Sequence, residues 1–171
     1  MKDLDFAPET MLETLFSFLD PFTKDGVIYQ PVFSYGSKED LNDYLKMTKG
    51  NVVLPLIWLI YPTKEKRNRN NILLTDLRLM IATQGSESLL NKDRLQVSYV
   101  EVLYPIFYGI QKILRVARNT QVIDDEYDLD KYPKFGEFGK NETIEIWDVL
   151  TVDFSLRINE MSHSLIKGKN V

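Results

Sequence analysis

A single histidine and no cysteine among 171 residues leave few side chains able to do chemistry. His163 lies in a weakly patterned stretch where nothing holds a general base in place, so it reads as a solvated residue. Without cysteine there is no disulfide, thiol nucleophile, iron–sulfur cluster or thiolate zinc site. There are eight glycines and no GxSxG, GxGxxG or GxxxxGK[ST] motif. Nucleophile elbows and phosphate loops therefore lack the backbone turns they require. The remaining candidates are carboxylates. Glu126, Asp128 and Asp130 alternate as the oxygen ligands of a calcium loop do, and Glu137 stands where a distal bidentate glutamate would close it. Lys131, however, occupies the position that needs glycine, and its ammonium would oppose the cation. The tract reads as a solvated acidic loop. No enzymatic activity, catalytic residue, metal or cofactor is expected.

Two other groups of residues suit contact rather than catalysis. Lys64, Lys66, Arg67 and Arg69 form a local positive patch, diluted by Glu65 and without an interleaved stacking aromatic. Such a patch is a solvated hairpin tip, a phosphate contact, or a contact with an acidic neighbouring subunit. Tyr132, Phe135 and Phe138 fall in a connector punctuated by glycine and proline, where core packing is hard. Trp147 lies among Glu145, Thr151 and Asp153 on the parity opposite the apolar face of the last strand. Exposed aromatics of this kind are enriched at interfaces, although they equally suit the rim of their own core.

The elements that must position these groups follow from periodicity. Met11, Leu12, Leu15, Phe16 and Leu19 predict a helix over 8–20, opened by Pro8 and ended by Asp20-Pro21. A β segment over 27–35 follows, with Pro31 at an edge or bulge. Ser37 caps a second helix, with Asp40 three residues on, and Gly50 ends it. VVLPLIWLIY at 52–61 predicts a strand buried on both faces, with Pro55 at a bulge or on a side lacking a partner. Residues 63–71 form a polar loop, and 72–82 alternate with Leu73, Leu77, Leu79 and Ile81 on one face; together they predict a long β-hairpin with a basic tip. Val100, Leu103, Ile106, Phe107, Ile110, Ile113, Leu114 and Ala117 predict a long helix from 91, kinked or split by Pro105. Residues 143–158 alternate as one long strand, or as two in tandem around Asp148, with Phe154 and Leu156 facing the core beside Ile110 and Ile113.

The fold class is therefore α+β: an antiparallel (mixed) sheet with a long hairpin, flanked by helices that include one long kinked helix. One domain is expected over 1–171. Its N-terminal helix–strand–helix part spans 1–50, the hairpin, long helix and final strand span 51–160, and 161–171 forms a flexible tail. Opposed charges of 21 Lys+Arg and 25 Asp+Glu give a net charge of −4, which offers no general support for nucleic-acid binding. MKDLDFAPET carries no secretory pattern, and the longest apolar run is about half of a membrane span, so a soluble intracellular protein is expected.

Three segments carry a family resemblance: VVLPLIWLIYPTKEKRNRNN, NKDRLQVSYVEVLYPIFYGIQKIL and YPKFGEFGKNETIEIWDVLTVDFSLRIN. Across 52–159 the chain resembles the small head–tail connector and tail-completion (tail terminator-like) proteins of tailed phages and related prophages. In pattern it is nearest to the ring proteins in the neck of crAss-like phages. The resemblance implies a non-enzymatic virion protein, made in the cytoplasm of a host bacterium. It would form a homo-oligomeric ring, six-fold or twelve-fold, that joins portal or adaptor proteins to the tail. Genomic DNA would pass through the ring without sequence-specific binding, and no membrane is involved. It also implies inter-subunit contacts at Lys64, Lys66, Arg67 and Arg69 and at Tyr132, Phe135 and Phe138. Trp147 is a further candidate from its parity. Two other functions compete: a nucleic-acid-binding accessory protein using the basic tip, and a small hydrolase or nuclease with a metal held by residues 124–130.

Overall fold

Pro8 sits in the first turn of α1 (Pro8–Phe16), where its missing N–H costs nothing, and Met11, Leu12, Leu15 and Phe16 face inward. The computed structural model describes residues 7–47, 55–86, 88–135 and 147–159. The expected β segment over 27–35 is divided at Gln30-Pro31. Its first part, β2 (Val27–Tyr29), pairs back onto β1 (Phe22–Lys24). Asp25 and Gly26 both take positive φ, 52° and 76°, as a two-residue hairpin turn requires. The second part, β3 (Val32–Gly36), enters the main sheet. Ser37 and Asp40 then form a reciprocal cap on α2 (Lys38–Met47): the Ser37 N–H donates to Asp40 Oδ2 at 2.7 Å, and the Asp40 N–H to Ser37 Oγ at 3.1 Å.

β4 (Leu56–Ile60) is buried on both faces, as its apolar run predicts, and runs parallel to β3. Pro55 precedes the strand rather than interrupting it, and its carbonyl accepts the Val32 N–H. The loop expected at 63–71 is mostly strand. After a cis Tyr61–Pro62 peptide, β5 (Lys64–Arg67) pairs antiparallel with the start of β6 (Asn71–Gln84). The true tip is three residues long and is closed by Asn68, whose Oδ1 accepts the N–H groups of Asn70 and Asn71 at 2.9 and 2.8 Å. The 63–66 stretch has no apolar residue to announce a strand, because both its faces are wet.

β6 also breaks its own alternation. Asp76 takes φ 56° at a bulge between Leu74 and Leu77, so Ile72 and Leu74 face the core with Leu77, Leu79 and Ile81, while Leu73 turns to the other face. The long helix is split at Pro105, as expected, but in a particular way. A short α3 (Asn91–Arg94) continues into a π-helical segment, Leu95–Leu103, and then into α4 (Tyr104–Val116). Pro105 has no N–H to donate and its ring crowds the turn before it, so the preceding turns widen; the Tyr104 N–H reaches back five residues to the Tyr99 carbonyl. The wider turns shift the phase of the apolar stripe. Leu103 is buried as expected, but Val100 is exposed, and Tyr99 and Val102 are buried in its stead.

β7 (Thr120–Val122), a 3₁₀ turn at Ile123–Asp125, β8 (Asp128–Phe135) and β9 (Trp147–Asn159) complete the described chain. Residues 124–135, expected as a connector, thus include an eight-residue strand. β9 lies at the centre of a seven-stranded mixed sheet, between β6 on one side and β7 and β8 on the other. It is one continuous strand from Trp147 to Asn159, and the part of the expected element before Trp147 lies outside the described residues.

The sheet is covered on both faces. α1, the π segment and α4 pack on one face over Ile57, Leu59, Leu79, Ile81, Val152 and Leu156, and Phe154, Leu156, Ile110 and Ile113 are buried there as expected. The other face carries a second, smaller core of Leu41 from α2 with Leu56, Trp58, Met80, Ala82, Trp147 and Val149. The fold is α+β, with a long hairpin and a divided long helix. His163, Glu137, Phe138, Gly50, residues 143–146 and the tail expected at 161–171 lie outside the described residues.

Candidate functional site

The sequence candidates fall into two groups, and the sheet puts them on opposite edges. Lys64, Lys66 and Arg67 lie on β5, and Arg69 is exposed at the tip. Their charge is partly spent inside the chain. Lys64 Nζ lies 2.9 Å from Asp76 Oδ2, with both side chains about 70% exposed, and Arg67 Nη2 lies 2.8 Å from Glu65 Oε2. Exposed pairs of this kind add little stability, on the order of 0–1 kcal/mol. Their effect is to hold the cations in place along the edge. Lys66 opens onto a shallow hollow shared with Leu73, Gln121 and Arg157.

Tyr132 and Phe135 lie on β8, opposite Val149 and Trp147, and are 43% and 38% exposed. Trp147 itself is 2% exposed. It is a core residue and not a contact candidate, because α2 and the second core cover the face that alternation alone assigns to solvent. Tyr132 and Phe135 stand in register with Val149 and Trp147 of that core, on the exposed edge strand beside it. Pro133 and the left-handed Lys134 (φ 54°) bulge the strand between them, a device that keeps an edge from templating further strands.

Between the two edges, on the face that carries α2, runs an open groove of about 600 Å³. Lys38, Tyr61 and Lys64 stand on one rim, and Asp124, Glu126 and Asp128 on the other. Its floor holds Arg78 and Asp153 in a two-pronged pair, Nε to Oδ1 at 2.8 Å and Nη2 to Oδ2 at 2.5 Å. That carboxylate holds the Arg78 guanidinium well above its ordinary range, so it stays a cation at any relevant pH. The groove therefore sorts charge across its width. Among the described residues no three metal-ligating side chains converge.

The residues that sequence reasoning missed are buried. Arg94 at the end of α3 and Asp148 on β9 are 1% and 0% exposed, with Nη1 and Oδ1 2.5 Å apart. Ser98 Oγ donates to Asp148 Oδ2 at 2.5 Å, and the Lys134 N–H donates to Oδ1 at 3.2 Å. Arg94 Nη2 donates to the carbonyls of Ser86 and Leu89, at 2.6 and 3.2 Å. Tyr99, one turn along the π segment, donates to the Val149 carbonyl at 3.2 Å, and burial pushes its hydroxyl well above the ordinary range. This network fastens the π segment, β8 and β9 to one another. One signal in the sequence pointed to it: Asp148 stands between Trp147 and Val149 in an otherwise apolar run.

Comparison with known protein families and with curated proteins finds no match to this chain. No helix among the described residues is long and apolar enough to cross a membrane.

Proposed function

We propose that the chain is a structural, non-enzymatic virion protein: a ring subunit in the head-to-tail connector (neck) or tail terminus of a tailed phage. It would meet copies of itself and neighbouring portal, adaptor or tail proteins while the genome passes through the ring. The observation that carries this reading is the exposed aromatic pair Tyr132 and Phe135 on an edge strand, beside a core and away from any catalytic grouping. Exposed large aromatics supply contact energy once a partner covers them, while the charges of the groove and the opposite edge supply register. The family resemblance of residues 52–159 points the same way. The test is mass spectrometry of purified virions, with position and copy number by imaging. The expected result is a fixed multiple copy number at the neck or tail terminus; absence from virions refutes the reading.

A second reading, a nucleic-acid-binding accessory protein, is favoured by one observation: Lys66 and Arg157 meet at an amide-lined hollow with Asn68, Gln121 and Asn159. Backbone-phosphate binding there would weaken steeply with salt. Fluorescence anisotropy with duplex DNA at two ionic strengths measures it.

A further inference from the structure

The main sheet has two tiers, and each tier ends in two unlike edges. In the first, β4 and β8 flank residues 78–82 of β6 and 147–153 of β9, with β3 outside β4. In the second, β5 and β7 flank residues 72–75 of β6 and 156–158 of β9. On one side the outermost strands are β3 and β5; on the other they are β8 and β7. Among the described residues nothing pairs with the outer edge of any of the four.

Direction and charge both match across these edges. β3 and β5 run with β9, while β7 and β8 run against it. A second copy set beside the first, with its sheet facing the same way, therefore brings β3 against β8 and β5 against β7 in antiparallel pairs, the more stable ladder. Residues 64–69 carry four cations and one carboxylate, whereas residues 124–130 carry five carboxylates and no cation. Lys64, Glu126 and Asp128 all border the same groove, so juxtaposed copies would present these unlike charges on one face. The first tier adds aromatics, with Tyr35 exposed on β3 and Tyr132 on β8.

We propose that copies of this chain associate head to tail through these opposite sheet edges, the basic β5 edge of one copy meeting the acidic 124–130 edge of the next. The inference rests on the ring-subunit reading and gives it a geometry. Each contact joins two different patches, so every added copy leaves one of each open, and only a closing rotation ends the series. Pro133 and the bulge at Lys134 limit the β8 ladder to the residues before them, so Phe135 contributes by side-chain contact alone.

The experiment is sedimentation equilibrium of the full chain and of two charge-reversed variants. One carries Lys64→Glu and Lys66→Glu; the other carries Glu126→Lys and Asp128→Lys. All four positions are exposed, and melting temperatures serve as the folding control. The wild-type chain should associate beyond the dimer at low ionic strength and weaken at about 1 M salt, where the screening length falls to about 3 Å. Each variant alone should associate about tenfold or more weakly, a shift of about 1.4 kcal/mol or more. An equimolar mixture should regain association, since each reversed edge then meets a complementary one. A monomeric wild-type chain, a closed dimer, or a mixture that regains nothing overturns the proposal. If the lysine variant instead loses binding to duplex DNA while the wild type stays monomeric, the basic edge belongs to nucleic acid. Association rescued by mixing, in a protein absent from virions, would sink the ring reading and leave the edge contact standing.

Discussion

Asp148→Ala removes the acceptor at the centre of the buried network, and its cost follows from what it strands. The Arg94 guanidinium, 1% exposed, would keep only its bonds to the Ser86 and Leu89 carbonyls, and its Nε already finds no acceptor among the described residues. The Ser98 hydroxyl and the Lys134 N–H would lose their acceptor as well. Removing one partner of a buried ion pair costs about 3–5 kcal/mol, mostly for the charge left behind. For a chain of this length that corresponds to a fall in Tm of about 6–20 °C. Urea titration followed by tryptophan fluorescence reads it directly, since Trp58 and Trp147 both lie in the second core. The double variant Arg94→Met/Asp148→Leu should regain at least half of the loss, because it buries no charge. A cost below about 1 kcal/mol for Asp148→Ala, or a double variant as unstable as the two single losses added together, would refute the reasoning.

Phe154→Ala should cost about 3–5 kcal/mol in the same titration, as large-to-small changes in a packed core do. Gly85→Ala should lose about 1 kcal/mol or more, because a Cβ there would sit 3.0 Å from Asp148 Oδ2, held by Ser98 Oγ, and 3.1 Å from Arg94 Nη1, held by Asp148 Oδ1. The Ser37 N–H and hydroxyl hold the Asp40 carboxyl below its ordinary value, so its contribution to stability is present above that ordinary value and is lost as pH falls through the lowered one. Asp40→Asn should flatten that part of the acid melting profile. Burial, with Asp125 nearby, pushes the Tyr127 hydroxyl up to about 12, so an alkaline absorbance scan should show a step well above the ordinary tyrosine range. Tyr127→Phe should remove that late step.

Wherever one face was wet and the other dry, the fold was legible in the sequence. Residues 8–16, the Ser37–Asp40 cap, the 77–81 alternation, the Pro105 break and the Phe154–Leu156 parity all follow from that contrast. It failed where the contrast vanishes. Trp147 looked solvent-facing because alternation describes one covered face, and α2 covers the second. Residues 64–67 and 128–135 looked like loops because an edge strand with two wet faces has no apolar signature; what makes them strands is backbone pairing to β6 and β9. Arg94 and Asp148 are 54 positions apart; the apolar neighbours of Asp148 mark one partner, but nothing around Arg94 distinguishes its charge from a surface one. Of the contact candidates, Lys64, Lys66, Arg67, Arg69, Tyr132 and Phe135 are at the surface, but on opposite edges. That separation depends on strand order, which periodicity does not encode.

The position of β9 at the middle of the sheet has a consequence for synthesis. This strand, the last of the described chain to be translated, pairs with β6, β7 and β8 alike. Until it leaves the ribosome, β6 has an open inner edge and the long apolar helix has only half a sheet to lie on. At about 5–20 residues per second, the interval between residues 84 and 159 lasts roughly 4–15 s. Throughout that time the nascent chain is exposed to its own kind on the same polysome. A stop codon before residue 147 would therefore remove the middle of the molecule, leaving β3, β4, β5 and β6 paired among themselves, β7 and β8 without their partner strand, and no smaller version of the protein.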